Sequence, residues 1–183
     1  MKRRSGDRTM INEYWFTDAD GATVFTTFNP KQRMNADHVL LYAFSDEEIL
    51  LTRHRRRGIE LPGGKRELGE EEEEAVIREA WEETGVRITQ PLWIGQYTVN
   101  GTKKFTKSIW YARIQSEESL PPGFETEGKV LLREWPDPFY DERYSRIMRD
   151  LNFYLVKAHL IHRKLVPTNF AQRSGSISHS VKK

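Results

Sequence analysis

Glu79, Glu82 and Glu83 are separated by three residues and then one. On a helix turning about 100° per residue they share an arc of roughly 100°. Like charges this close repel, and more strongly when partly buried, so the arrangement calls for a cation among them. Carboxylate oxygens suit Mg2+ or Mn2+, and Mg2+ keeps waters in its octahedron whose places substrate phosphate oxygens can take. The chemistry implied is phosphate chemistry. Upstream, Gly63-Gly64 permits a sharp turn and a close backbone approach, so a loop carbonyl could complete the shell around the ion. Lys65 and the block Arg53-His54-Arg55-Arg56-Arg57 supply cations for polyphosphate charge, with Arg57 nearest the glycines. Arg78 falls on the side of Glu74 and Glu71, which predicts an orienting ion pair. The run Glu71 to Glu74 reads as a solvated face.

The elements that must hold these groups follow from pattern. Residues 23–28, 38–44 and 48–52 are β-branched and apolar and are separated by Asn29-Pro30 and Ser45-Asp46, which predicts strands. Helix formers run from 71 to 84 and stop at Gly85, a residue suited to a left-handed C-cap. Val76, Ile77, Ala80 and Trp81 form an apolar arc that would pack on a sheet. Asn100-Gly101 between 93–99 and 105–114 predicts a hairpin. A strand is expected over 129–133 and an amphipathic helix over 141–163. The domain organisation expected is an N-terminal arm at 1–10, one domain at 11–163 and a basic, mobile C-terminal tail at 164–183.

Composition narrows the field. Zero cysteines exclude disulfide scaffolds, thiolate zinc sites and a cysteine nucleophile. The basic start Met1 to Arg4 is followed by polar residues where a secretory signal would be apolar, and no stretch reaches the roughly 18 apolar residues of a membrane span. The expectation is a cytoplasmic protein with no membrane partner. A net charge of +2 gives little support to non-specific nucleic-acid binding. The five histidines show no metal-ligand spacing.

Gly64, five residues, Glu70, seven residues, then Arg78-Glu79-Ala80-Trp81-Glu82-Glu83-Thr84-Gly85-Val86 resembles the Nudix box, G-x5-E-x7-R-E-U-x-E-E-x-G-U, where U is a bulky aliphatic residue. Ala80 is smaller than the pattern asks. The resemblance implies an α/β fold, a Nudix-type α/β/α sandwich with a mixed sheet and the box as loop, helix and loop. It further implies metal ligation by Glu79, Glu82, Glu83 and the carbonyl of Gly63, with Mg2+ as cofactor and Mn2+ able to substitute. Glu79 is ligand, base or both. A further acidic residue from a later loop is expected, Glu125 first and Glu127 next, with Arg57 and Lys65 as substrate-binding residues. The implied partner is a nucleotide polyphosphate, split into two phosphorylated products by metal-activated water.

A narrower resemblance is carried by residues 57–65, 94–97, 124–126 and 144–150, which look like the Bacillus YtkD group. Those enzymes are described as nucleoside triphosphate pyrophosphohydrolases, oxidised guanine nucleotides included, and as removing pyrophosphate from RNA 5′ ends. Three functions are weighed: a nucleoside triphosphate pyrophosphohydrolase, a 5′-triphosphate RNA pyrophosphohydrolase using Arg143, Arg146 and Arg149 along the RNA backbone, and a catalytically inactive nucleotide- or RNA-binding module.

Overall fold

The structure, a computed structural model, describes residues 12–171. Nine strands, β1 (Glu13–Thr17), β2 (Thr23–Thr27), β3 (His38–Phe44), β4 (Ile49–His54), β5 (Gly58–Glu60), β6 (Val86–Ile88), β7 (Leu92–Asn100), β8 (Lys104–Glu117) and β9 (Thr126–Leu132), are joined by helices α1 (Glu72–Thr84), α2 (Leu151–His162) and α3 (Thr168–Ala171). The sheet runs β1-β2-β7-β8-β3-β4-β5, with β6 on β8 and β9 on β4. It is mixed, because β3 and β8 are parallel while β7 and β8 form the antiparallel hairpin that Asn100-Gly101 predicts.

β3 shows why its sequence is apolar at nearly every position. Val39, Leu41 and Ala43 join Ala75, Val76 and Ala80 of α1, whereas Tyr42 and Phe44 join Phe153, Val156 and Leu160 of α2. A strand covered on both faces has no solvent side to alternate toward. The molecule is the expected sandwich of helix, mixed sheet and helix. The apolar arc of α1 is narrower than expected. Ala75, Val76 and Ala80 are fully buried, while Ile77 is exposed. Trp81 lies at the rim, its ring 4.8 Å from the Arg87 guanidinium and its Nε1 donating to Glu118 at 3.0 Å. A small residue at position 80 lets the helix lie close to the sheet, where Trp110 of β8 fills the layer.

Two expectations about the C-terminal part need correction. The helix expected over 141–163 begins only at Leu151, capped by Asp150, whose side chain accepts from the Phe153 amide at 3.3 Å. Ahead of it the chain pairs with β5, since Ile59 donates to the Arg143 carbonyl and Ser145 donates to that of Ile59, both at 2.8 Å. Sheet pairing overrides the helical periodicity. The tail expected from 164 is built into the fold as far as 171. Phe170 is buried with its ring 5.4 Å from Phe44 and 5.5 Å from Trp135. The rest of that tail and the N-terminal arm lie outside the described residues. Strands β1, β5 and β6 are additions to the sequence reading. No described helix is long and apolar enough to cross a membrane.

Candidate active site

The glycine turn is held by the edge of β3 opposite β8. Leu41 donates to the Pro62 carbonyl and Val39 to that of Gly64, both at 2.9 Å. Gly63 adopts φ +153°, and a Cβ there would lie 2.3 Å from the Val39 carbonyl oxygen. A Cβ on Gly64 would lie 2.2 Å from Glu79 Oε1. The Gly63 amide donates to Glu83 Oε2 at 3.0 Å. Both glycines therefore abut the acidic face of α1, one on Glu83 and one on Glu79. The end of α1 is pinned as well, because the Glu83 carbonyl accepts from Thr52 Oγ1 at 3.0 Å and Thr126 Oγ1 at 2.9 Å.

Arg78 organises the carboxylates. Its Nε and Nη2 grip Glu70 at 2.7 and 2.9 Å, its Nη1 reaches Glu79 at 2.9 Å and Glu82 at 3.0 Å, and Nη2 also donates to the Lys65 carbonyl at 3.2 Å. The orienting ion pair expected with Glu74 and Glu71 is made instead with Glu70, Glu79 and Glu82, because the loop folds back beneath the helix. Glu74 reaches back to the Glu71 amide at 3.0 Å. Nor is the whole run Glu71 to Glu74 solvated, since Glu72 is buried, accepting from the Ala36 amide at 3.1 Å and from Arg33 at 3.3 Å.

The electrostatics separate the carboxylates. Burial pushes Glu83 up to about 8, against the Gly63 amide that favours its anion. Burial also raises Glu79, outweighing Arg78, while the Arg78 hydrogen bond holds Glu70 below the usual carboxylate range. Among the described residues no three acidic or imidazole side chains converge as a ready-made metal cage. The donor set nevertheless fits a hard divalent cation. Burial disfavours the anions of both Glu79, bonded to Arg78, and Glu83, bonded to the Gly63 amide, and a dication would relieve both.

The remaining residues singled out above lie around this face. Arg57 holds Glu60, its Nη2 at 2.7 Å from Oε1 and its Nε at 3.2 Å from Oε2, and this bond raises its basicity. Lys65 bridges to His38 through its backbone. Glu125 is exposed and bonded to His54 Nε2 at 3.1 Å and Arg56 Nη2 at 3.3 Å, which lowers its pKa, the imidazole contributing most. Glu127 lies 4.0 Å from Arg53. The three arginines expected to follow an RNA backbone do not share a helix. Arg143 and Arg146 pair with Asp141 and Asp20, and Arg149 donates to the carbonyl of Tyr144.

Sequence reasoning missed Glu60 and His54, both buried. Glu60 follows a strand alternation too short to recognise from three residues. His54 packs inside the β4–β5 turn, with Nδ1 accepting from the amides of Arg56 and Arg57 at 3.1 Å. Also missed was a cleft on the α2 face lined by Leu40, Tyr42, Leu61, Tyr97, Lys107 and Asp150, among others. Burial lowers Lys107 and raises Asp150 there.

Residues 31–138 match the model of the NUDIX domain. The chain is 39% identical over 140 residues to the candidate 8-oxo-dGTP diphosphatase YtkD of Bacillus subtilis, covering 75% of this chain and 89% of that protein. The crystal structure of the Bacillus subtilis pyrophosphohydrolase BsRppH superposes with a TM-score of 0.78 at 35% identity, over 82% of this chain and 97% of that one. A MutT NUDIX hydrolase from Burkholderia pseudomallei shares the fold at 20% identity and a TM-score of 0.50, over 64% of this chain and 95% of that one. With the glycine turn seated on the glutamates of α1 and the family match spanning both, the chain belongs to the Nudix family and is a hydrolase of nucleotide phosphoric anhydrides.

Proposed function

We propose that the protein is a Mg2+-dependent nucleoside triphosphate pyrophosphohydrolase, releasing pyrophosphate and a nucleoside monophosphate, with oxidised deoxyguanosine triphosphate among its candidate substrates. The observation that carries this reading is the contact of Gly63 and Gly64 with Glu83 and Glu79. Glu79, Glu82, Glu83 and the Gly63 carbonyl would hold the ion. When bound, Mg2+ supplies charge neutralisation for the phosphates and a lowered pKa for water. Arg78 keeps Glu79 and Glu82 oriented, and Glu79 is the candidate acceptor of the proton lost by the attacking water. The water oxygen bonds to the α or β phosphorus, the bridging anhydride bond breaks, and the leaving phosphate takes its electron pair. Arg57 and Lys65 would meet phosphate oxygens, and Glu125 is a further acid that must leave His54 and Arg56 to take part. The apolar cleft with Lys107 and Asp150 beside Leu61 suits the nucleoside.

The test is a nucleotide panel with Mg2+ and Mn2+ and chromatographic identification of products. Monophosphate plus pyrophosphate is expected, and diphosphate plus inorganic phosphate overturns the reading. A second reading, a 5′-triphosphorylated RNA as substrate, is favoured by the match to BsRppH along nearly that whole chain. It requires a triphosphorylated oligonucleotide to exceed the free nucleotide in kcat/KM.

A further inference from the structure

The edge of the sheet farthest from the glycine turn carries an aromatic surface that the core does not use. Trp15 of β1 is 67% exposed and lies against Phe25 of β2, ring centroids 4.4 Å apart and tilted by 32°. Its neighbours Tyr14 and Phe16 pack toward the α2 cluster, so Trp15 faces the side of the sheet that carries α1. There it borders an open groove of about 390 Å3 with Phe25, Met34, Thr98 and Lys104. Met34 is half-exposed. Glu13, the acid of this groove, is already bonded to Gln32 at 2.8 Å and Asn29 at 3.4 Å. Lys104, the first residue of β8, supplies the cation of the groove lining.

A single rank of backbone pairings, whose side chains face α2 rather than the groove, counts the strands between Lys65 of the glycine turn and the groove. Lys65 bridges His38, His38 faces Lys107, Lys107 faces Tyr97, Tyr97 faces Thr26, and Thr26 faces Tyr14 beside Trp15. At roughly 4.8 Å per strand this rank measures about 24 Å. A mononucleotide anchored at the glycine turn cannot span it, whereas a strand of a few nucleotides can. An exposed indole lying against a second ring, beside a lysine, is a surface on which an unpaired base and its phosphate can settle.

We infer that the Trp15–Phe25 groove is a distal subsite on which a downstream base of a single-stranded RNA stacks while the 5′ end occupies the glycine turn. The inference rests on the second reading above, RNA as substrate. Binding energy there accrues to oligonucleotides alone, so the groove would separate RNA from free nucleotides without touching the reacting phosphates.

The experiment compares wild type, Trp15→Ala, Trp15→Phe and Lys104→Gln as full chains. Pyrophosphate release is followed from GTP, a triphosphorylated dinucleotide and a triphosphorylated octanucleotide, and anisotropy measures binding of a 5′-hydroxyl octanucleotide. Trp15→Ala is expected to raise KM for the octanucleotide about tenfold and to weaken the 5′-hydroxyl strand similarly, with GTP and dinucleotide unchanged. Trp15→Phe should restore most of the loss, and Lys104→Gln should flatten the salt dependence of octanucleotide binding by about 0.7 in log–log slope. Equal losses on GTP and octanucleotide, or no loss on either, overturn the subsite. So does a Trp15-dependent dimer in sedimentation, which would make the groove a contact between copies. Octanucleotide hydrolysis indifferent to Trp15→Ala defeats the groove and leaves the RNA reading intact. Trp15-dependent binding of the 5′-hydroxyl strand with no pyrophosphate from any RNA does the reverse.

Discussion

Glu83 and Glu125 carry the same carboxylate into opposite surroundings. Glu83 is at the end of α1, largely buried, with one amide donor, and burial raises its pKa to about 8. Glu125 is on the loop ahead of β9, exposed, and is held below the ordinary carboxylate range by His54 and Arg56. One acid has been stripped of water without full compensation, and the other already has its cations. A buried carboxylate left under-neutralised is a place for a ligand of opposite charge, whereas a paired one on the surface is satisfied without any. The contrast divides the α1 face from the basic turn between β4 and β5 more sharply than distance along the chain does.

The strongest way to break this contrast is to neutralise each acid in turn. Glu83→Gln is expected to lower kcat by about 10²- to 10⁴-fold with the far-UV spectrum intact. Glu125→Gln should lower it less than about tenfold, because its charge is engaged by His54 and Arg56. A larger loss at Glu125, measured by initial-rate pyrophosphate release, would move it into the reaction.

The two glycines sharpen the contrast from the other side. Gly64→Ala drives a Cβ into the end of the flexible Glu79 side chain, so the fold should survive while activity falls by roughly 10²-fold. Gly63→Ala meets the backbone carbonyl of Val39 at a positive φ, which should lower stability by roughly 3 kcal/mol in urea unfolding. If Gly64→Ala proves the less stable of the two, the turn serves the fold more than the site. Arg78→Lys keeps the charge and loses the fork on Glu70. A 10- to 100-fold weaker Mg2+ affinity by activity titration is expected.

The smallest effect is on stability against pH. Folded Glu83 holds its proton up to about 8, while the unfolded chain releases it near 4.5. The folded state thus binds more protons between those values, and stability must fall as pH rises through that window. In chelator, the Tm should decline by several degrees between them, and Glu83→Gln should lessen that decline, leaving the part contributed by the raised Glu79. Excess Mg2+ should also flatten it, since an ion bound to the folded state favours the carboxylate. A decline identical in wild type and Glu83→Gln would assign the titration to another group.

Much of the α1 region was legible because its parts lie within one element. The spacing of Glu79, Glu82 and Glu83 and the stop at Gly85 follow from helical geometry, the box from Gly64 follows from its resemblance to the family pattern, and the β7–β8 hairpin follows from Asn100-Gly101. The helix expected over 141–163 failed in its first half, where Arg143 and Ser145 found β5 as a partner. A periodic pattern reports local preference, and pairing with a strand more than eighty residues away is invisible to it. Arg78 shows the same limit at the scale of one side chain, since Glu71 and Glu74 are the expected partners and the loop residue Glu70, with Glu79 and Glu82, takes their place.

The residues along the chain therefore determined the acidic helix, its glycine turn, the hairpin and the family to which they belong, because each depends on spacing within one short stretch of sequence. Tertiary structure alone decided which cation meets which acid, that Glu60 and His54 are buried, that Glu125 turns to His54 and Arg56 between β4 and β5, and that Trp15 stands exposed. Those outcomes depend on strand register and on burial, which arise only when segments distant in sequence are brought together and water is removed between them.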